Sequence, residues 1–283
     1  MRRRMSWKWA ALGLLLLLAF LYWQNNGLVI SRYTYTGSRI PAGFDGYTIV
    51  QVSDLHGKRF GRGQQRLLAA IREARPDLIV MTGDLTDRRR YRAEPALELV
   101  RGAAQIAPVY AVSGNHEAWG GQYDAFGAQL TRAGARVLDD QAAAVSSNGD
   151  EILLLGLRDP AFFTDRGAGQ TALTQTERQL AAWAKLDGCK VLLSHRPELL
   201  KLYAKAGMDI AFSGHAHGGQ FRLPGLGGLY APHQGFFPAY SEGACAAPPT
   251  TMFVSRGLGN SLFPQRLFNR PELVVVTLQA ASR

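Results

Sequence analysis

Cysteine is nearly absent: Cys189 and Cys245 are the two in 283 residues. That scarcity excludes a disulfide-dense scaffold, and because neither falls in a cluster it also excludes a thiolate metal centre. Two thiols permit one intramolecular pairing, which needs export and proximity; far apart, both are simply small thiols. Acidic residues are in deficit as well, 22 Asp+Glu against 32 Lys+Arg, for a net charge of +10. Arg2, Arg3, Arg4 and Lys8 supply four of those charges, so the rest of the chain still carries about +6, a balance that attracts anionic substrates or anionic lipid. It gives a partner's sign, not its identity. Internal repeats and low-complexity tracts are lacking, and at 47% hydrophobic and 19% charged the composition is globular, which excludes long disordered tracts. The length suits one large core with a short N-terminal appendage.

Long apolar runs are lacking with one exception. After the basic start the chain runs apolar from Trp9 to Trp23, with leucine unbroken from Leu14 to Leu18. Those fifteen residues fall slightly short of the roughly 17–25 that cross a bilayer as a helix. Trp7, Trp9, Tyr22 and Trp23 are interface-seeking residues that close the gap. A buried core helix is disfavoured, because the stretch is apolar all round and charged at its start. No small-x-small cleavage site follows, so an uncleaved anchor over residues 1–24 is expected. The arginine run also permits a twin-Arg export signal, and the route stays open. The basic cluster is expected to stay cytoplasmic, giving a single-pass protein of the cytoplasmic membrane with its domain on the outer face.

Residues 25–46 read as a linker with a short leading edge strand around Tyr33-Thr34-Tyr35-Thr36, and residues 47–283 as the main domain. There short aliphatic runs at Thr48–Val52, Leu78–Met81, Val109–Val112, Ile152–Leu157, Val191–Leu193, Ile210–Phe212 and Leu273–Val276 predict buried strands. Helical spacing predicts helices over Gln64–Ala74, Glu94–Gln105, Tyr123–Ala133, Thr174–Leu186 and Glu198–Ala206. In the last third, Phe221-Arg222-Leu223, Leu229-Tyr230 and Met252-Phe253-Val254 stand among Gly and Pro without helices between them. That spacing predicts a second, more antiparallel sheet packed on the first.

Polar residues cluster at the ends of these strands. Asp54 and His56 follow the first, Asp84 the second, and Asn115-His116-Glu117 the third; His195 follows the Val191 run, and His215 and His217 the Ile210 run. In open α/β sheets the crevice beyond such strand ends is where ligands bind. Asp84 lies 30 residues after Asp54 and Asn115 lies 31 after Asp84, each interval holding one strand, one helix and their loops, so the three are expected side by side. Carboxylate and amide oxygens with imidazoles suit borderline or hard divalent ions. Two such ions need a shared carboxylate, and Asp84 is the natural bridge. Gly83, Gly114 and Gly214 precede ligands where a side chain would obstruct close approach. Singly the motifs are weak: Gly-Asn-His-Glu could be a turn whose Asn caps a helix, and Gly-His-x-His alone carries more weight. Together they account for five of the six histidines, with His233 left over, so independent core histidines explain them poorly.

This ordered set, Asp-x-His, Gly-Asp, Gly-Asn-His-Glu, His and Gly-His-x-His over roughly residues 47 to 277, resembles the calcineurin-like metallophosphoesterase superfamily. Gly214-His215-Ala216-His217-Gly218-Gly219-Gln220, Leu229-Tyr230-Ala231-Pro232 and Gly235-Phe236-Phe237-Pro238 resemble its membrane-anchored bacterial phosphodiesterase branch, whose relatives include enzymes that cleave the pyrophosphate of a UDP-linked acylated glucosamine. The resemblance implies an α/β fold of the four-layer α/β/β/α sandwich type. It implies two divalent ions per chain, Mn²⁺, Zn²⁺ or Fe, one on Asp54, His56, Asp84 and His217 and the other on Asp84, Asn115, His195 and His215. Between them a bridging hydroxide would attack phosphorus in line. His116 would be catalytic, giving a hydrogen bond or proton to the leaving oxygen, with Glu117 placed to orient that imidazole.

The expected function is therefore hydrolysis of a phosphodiester, or of a monoester or pyrophosphate, linked to lipid, nucleotide or envelope, by a monomer. A metal-free scaffold of the same fold and a nuclease are the alternatives. Against the nuclease, the basic residues are not interleaved with aromatics in a strand-binding stripe, and the anchor would separate it from chromosomal DNA. Three further features read mainly as structural. Arg158 is expected to be a solvated surface charge, with contact to a substrate phosphate as its functional reading, Arg88-Arg89-Arg90-Tyr91-Arg92 a solvated loop with headgroup binding as its functional reading, and Phe236-Phe237-Pro238 packing between sheets with a lipid lip as the other reading.

Overall fold

A computed structural model describes residues 7–163, 172–261 and 263–281; the basic cluster Arg2, Arg3 and Arg4 lies outside them. The first element, α1 (Trp7–Asn26), is a 20-residue helix of mean hydropathy 1.3 with exposed apolar faces. At 1.5 Å per residue it spans about 30 Å, the hydrocarbon thickness of a bilayer. The fifteen-residue apolar run understates it, because Trp7, Lys8 and Gln24 to Asn26 extend the helix at both ends. Its foot docks on the domain: Asn25 Nδ2 donates to the Pro264 carbonyl at 2.9 Å, Gln265 Nε2 donates to the Leu21 carbonyl at 3.1 Å, and the Phe20 and Phe268 rings lie 5.9 Å apart.

Sixteen strands follow among the described residues. In chain order they are β1 (Val29–Gly37), β2 (Thr48–Val52), β3 (Leu78–Thr82), β4 (Val109–Val112), β5 (Ala135–Val137), β6 (Gln141–Ser147), β7 (Asp150–Gly156), β8 (Lys190–Leu193) and β9 (Ile210–Ser213). Two ribbons come next, β10 (Arg222–Leu223) with β11 (Gly227–Gly228) and β12 (Tyr230–Ala231) with β13 (Gly235–Phe236), then β14 (Gly243–Ala247), β15 (Thr250–Val254) and β16 (Glu272–Ala280). The helices are α2 (Gln65–Ala74), α3 (Glu94–Ala103), α4 (Asn115–Gly120), α5 (Tyr123–Arg132), α6 (Ala172–Ala184) and α7 (Leu200–Lys205).

The larger strands form two six-stranded sheets, β1-β16-β2-β3-β4-β5 and β14-β15-β9-β8-β7-β6. Strand β1 is an edge strand paired in parallel with β16 over nine residues, so the leading segment is part of the domain's own sheet. Leu67, Leu68, Ile71 and Ala74 of α2 and Ala96, Val100 and Ala103 of α3 recur at helical spacing and bury one face of each helix on the first sheet. Ile49, Val80, Val191, Ile210 and Val276 fill the space between the sheets. Leu180, Trp183 and Tyr203 of α6 and α7 cover the outer face of the second. The result is a four-layer α/β/β/α sandwich, in which each fully buried Leu or Ile stabilises the fold by about 1.5–3 kcal/mol.

One expectation needs correction, and one open question closes. The second sheet begins at Gln141, not in the last third, and three of its pairings are parallel; the segments around Phe221 and Tyr230 are too short and glycine-rich to join it and form ribbons instead. The cysteines are free. Cys189 packs between the sheets whereas Cys245, on the edge strand β14, packs against the outer layer, so the second sheet separates them.

Candidate metal centre

The first sheet delivers Asp54 and His56 after β2, Asp84 after β3, and Asn115, His116 and Glu117 at the start of α4; the second delivers His195 after β8 and His215 and His217 after β9. The centre thus lies where the C-terminal edges of two sheets meet, not in the crevice of one. Gln51, fully buried on β2, joins the edges: its Nε2 donates to Thr82 Oγ1 at 2.9 Å and to the Ser213 carbonyl at 2.8 Å. Five of these side chains leave a left-handed backbone, Asp54, His56, Asp84, His215 and His217 having φ between 47° and 67°. Each such residue costs roughly 1–3 kcal/mol, strain that persists where the surrounding structure over-determines it. Close approach requires glycine as well. A Cβ on Gly83 would lie 2.6 Å from the Gly114 nitrogen, and one on Gly214 would lie 2.0 Å from Ser53 Oγ.

Four groups of side chains that could hold a metal ion result among the described residues, two of them sharing Asp84 and the others being His56, Asp87 and His116, and Glu198, His215 and His233. Asp54, His56, Asp84 and His217 present atoms within 4.8 Å of one another, and so do Asp84, His195 and His215. Asp84 belongs to both: its Oδ2 lies 3.7 Å from His56 Nε2 in one group and 3.3 Å from His195 Nε2 in the other. Asn115 Oδ1, 3.1 Å from His195 Nε2, joins the second group.

The donors fit divalent cations. His195 Nδ1 donates to the Thr82 carbonyl at 2.7 Å, which turns Nε2 toward Asp84 and Asn115 as the ligand atom. Burial opposes charge on that imidazole, yet Asp84 and Asp54 push its pKa up to about 10: the acids at this point require a positive charge. A divalent ion bound there would supply it and displace the proton. Burial likewise raises the carboxyl of Asp84, but His195, His116 and His56 outweigh it and hold the group well below the usual range.

The family model for calcineurin-like phosphoesterases matches residues 47–219, more than half of the chain. The chain belongs to that family. The metallophosphoesterase YkuE of Bacillus subtilis (strain 168) is 29% identical over 266 residues, covering 92% of this chain and 89% of its own length. Phosphodiesterase YaeI of Escherichia coli (strain K12) is 29% identical over 238 residues, covering 82% of each chain. A transmembrane protein with metallophosphoesterase domain from Danio rerio is 28% identical over 251 residues, covering 86% of this chain and 55% of that one. This calcineurin-like phosphoesterase is accordingly a metal-dependent phosphoester hydrolase, with residue clusters that suit a dinuclear divalent site and one helix, α1, long and apolar enough to cross a membrane.

Around the ligands of this phosphoesterase, His116 stands apart from the two groups that share Asp84. Its Nδ1 accepts the Arg88 N–H at 3.2 Å, so Nε2 carries the proton, 3.3 Å from Ser261 Oγ. Burial pulls its pKa down to about 4, against the opposing charge of Asp84. Asp87 Oδ2 lies 3.6 Å from Nδ1 of both His56 and His116; it faces the N–H of His56, whereas the His116 ring is held by the Arg88 N–H.

Glu117 does not take that role. Neighbouring residues on a helix point in different directions, and its carboxylate accepts the backbone N–H groups of Asp84 at 2.8 Å, Thr86 at 2.9 Å and Gly114 at 2.8 Å. It clamps the loops after β3 and β4. Glu117→Ala strands these buried donors and is expected to lower the unfolding free energy by about 3 kcal/mol, read as a lower denaturant midpoint at unchanged slope.

Arg158 is not a solvated charge: its guanidinium lies 4.6 Å over the Phe162 ring and 3.6 Å from Asp139 Oδ2, outside the ligand groups. Phe236 and Phe237 do not pack between sheets, since ribbon β12–β13 holds them at the surface, 71% and 58% exposed. Residues that sequence reasoning passed over include Asp87, Arg196 and His233. Arg196 is buried, its Nε and Nη2 donating to Asp159 at 2.7 and 2.9 Å. His233 Nδ1 lies 3.0 Å from His215 Nε2, and Arg196 Nη1 lies 2.9 and 3.1 Å from these two nitrogens as a donor, so the three side chains form one cluster beside the centre.

Proposed function

We propose that this chain is a dinuclear phosphodiesterase in which Asp54, His56, Asp84 and His217 hold one divalent ion and Asp84, Asn115, His195 and His215 the other. The observation that carries the reading is the Asp84 carboxylate, whose Oδ2 stands 3.7 and 3.3 Å from imidazoles of two different ligand groups. Mn²⁺, Zn²⁺ and Fe ions all accept this oxygen and nitrogen set. When bound, such a pair supplies hydroxide near neutral pH and neutralises charge on the phosphoryl oxygens. The chain's own residues do the rest. His116 offers its Nε2–H to the oxygen that departs as the phosphorus–oxygen bond breaks, and the Arg88 backbone N–H on Nδ1 keeps that ring in place. Arg88 and Arg89 line the cavity over the centre and meet the substrate anion. Diester rather than monoester chemistry is supported by the Escherichia coli relative's name, phosphodiesterase.

Residues 1–24 act as anchor and 47–283 as catalytic domain, on the outer face because the basic N-terminus is retained in the cytoplasm. The test is reconstitution of chelator-stripped full-length protein with each ion, followed on bis(p-nitrophenyl) phosphate. Activity is expected to rise with the second metal equivalent; full activity without metal sinks the proposal, and inert protein that takes up no metal favours the scaffold alternative. Turnover of an impermeant diester by intact cells supports the outer face, and turnover only after permeabilisation overturns it.

A further inference from the structure

A cavity of about 570 Å³ opens directly over the ligand residues Asp84, Asn115 and His217. Its walls are aromatic, and they are left open: Trp119 is 44% exposed, Tyr230 48%, Phe236 71% and Phe263 51%. A contiguous aromatic wall in water is a binding surface in waiting, and a small soluble phosphodiester would leave most of it uncovered. The position of the wall supplies the occupant. Phe263 directly precedes Pro264, whose carbonyl is held by Asn25 in the last turn of α1, and Phe268 packs on Phe20 of the same helix. With α1 spanning the bilayer, its last turn lies at the membrane interface and carries this edge of the cavity to the same level. Arg88, which lines the same cavity with its guanidinium 4.4 Å over the Trp119 ring, sets a cation on the aromatic wall.

We propose that the cavity takes the apolar chain of an amphiphilic phosphodiester drawn from the bilayer, with its phosphate at the metal centre. This rests on the phosphodiesterase reading above and narrows it to lipid-like substrates. Each methylene removed from water favours binding by a factor of roughly four.

The experiment uses metal-loaded full-length protein with p-nitrophenyl methyl, butyl and octyl phosphodiesters below their micelle concentrations, alongside calorimetric binding of the matching alkylphosphonates. KM is expected to fall at least tenfold from methyl to octyl, with phosphonate affinity rising in parallel. The surface variant Phe236→Ser/Phe263→Ser, checked for fold by circular dichroism, is expected to cut that octyl-to-methyl ratio at least fivefold. A flat chain-length series overturns the proposal, and so does a slope that the variant keeps, which is partition into detergent. Absence of any methyl diester turnover by protein carrying two ions overturns the phosphodiesterase reading instead.

Discussion

Asp84→Asn is expected to empty both halves of the metal centre at once, taking bound metal from two equivalents to a small fraction of one and activity down by at least about 10³. The reason is electrostatic. Two divalent ions held roughly 3.5–4 Å apart repel one another by about 18 kcal/mol even at an effective dielectric of about 20, and an anion between them is the chief local compensation. Asp84 is the residue common to the two ligand groups. An amide at this position keeps the volume and loses the charge, and its nitrogen turns donor hydrogens toward cations or toward the His116 N–H that Oδ1 accepts at 2.8 Å. Asp54→Asn serves as the contrast. Asp54 belongs to one group, is anchored by the Ser53 hydroxyl at 2.6 Å, and its loss is expected to empty that half alone. Metal analysis of both variants at verified fold decides the matter. An Asp84→Asn protein that keeps one tight ion and half its activity would mean two independent mononuclear sites.

Much of this was readable before any coordinates, for a specific physical reason. Metal ligands must be ionisable or amide side chains carried on turns that follow buried strands, and both features are local in sequence. Aliphatic runs such as Ile49-Val50 and Leu192-Leu193 mark the strands, and the donors come two to four residues after the strands end. What depended on contacts between distant segments was not readable. Asp87 gains its role because two imidazoles, His56 and His116, arrive on the same oxygen. His233 comes to His215 by way of ribbon β12–β13, whose two-residue strands carry no periodic signal. Glu117 stands in the right motif but takes a different partner, since the geometry of the six-residue helix beginning at Asn115 sends residue 117 to the β3 loop. Direction of pairing in the second sheet was also hidden, because aliphatic strands look the same whichever way their neighbours run.

His116→Ala is expected to leave both ions bound and to slow turnover by roughly 10²–10⁴. The ring lines the cavity over the centre, and its Nδ1 is occupied by the Arg88 N–H, which fixes the proton on Nε2. Being held near pKa 4 by burial, it is neutral at physiological pH. It therefore serves first as an N–H hydrogen-bond donor to negative charge building on the leaving oxygen, and only secondarily as a source of a whole proton. Two comparisons separate that role from a merely structural one. The loss should be large for an alkoxide leaving group, which needs the most stabilisation, and small for p-nitrophenoxide, which leaves without help. His116→Gln retains an N–H donor of similar reach and is expected to recover part of the loss where alanine does not. Equal losses on both leaving groups, or metal lost together with activity, would move His116 out of the catalytic step and into support of the His56 ring, 4.6 Å away between centroids.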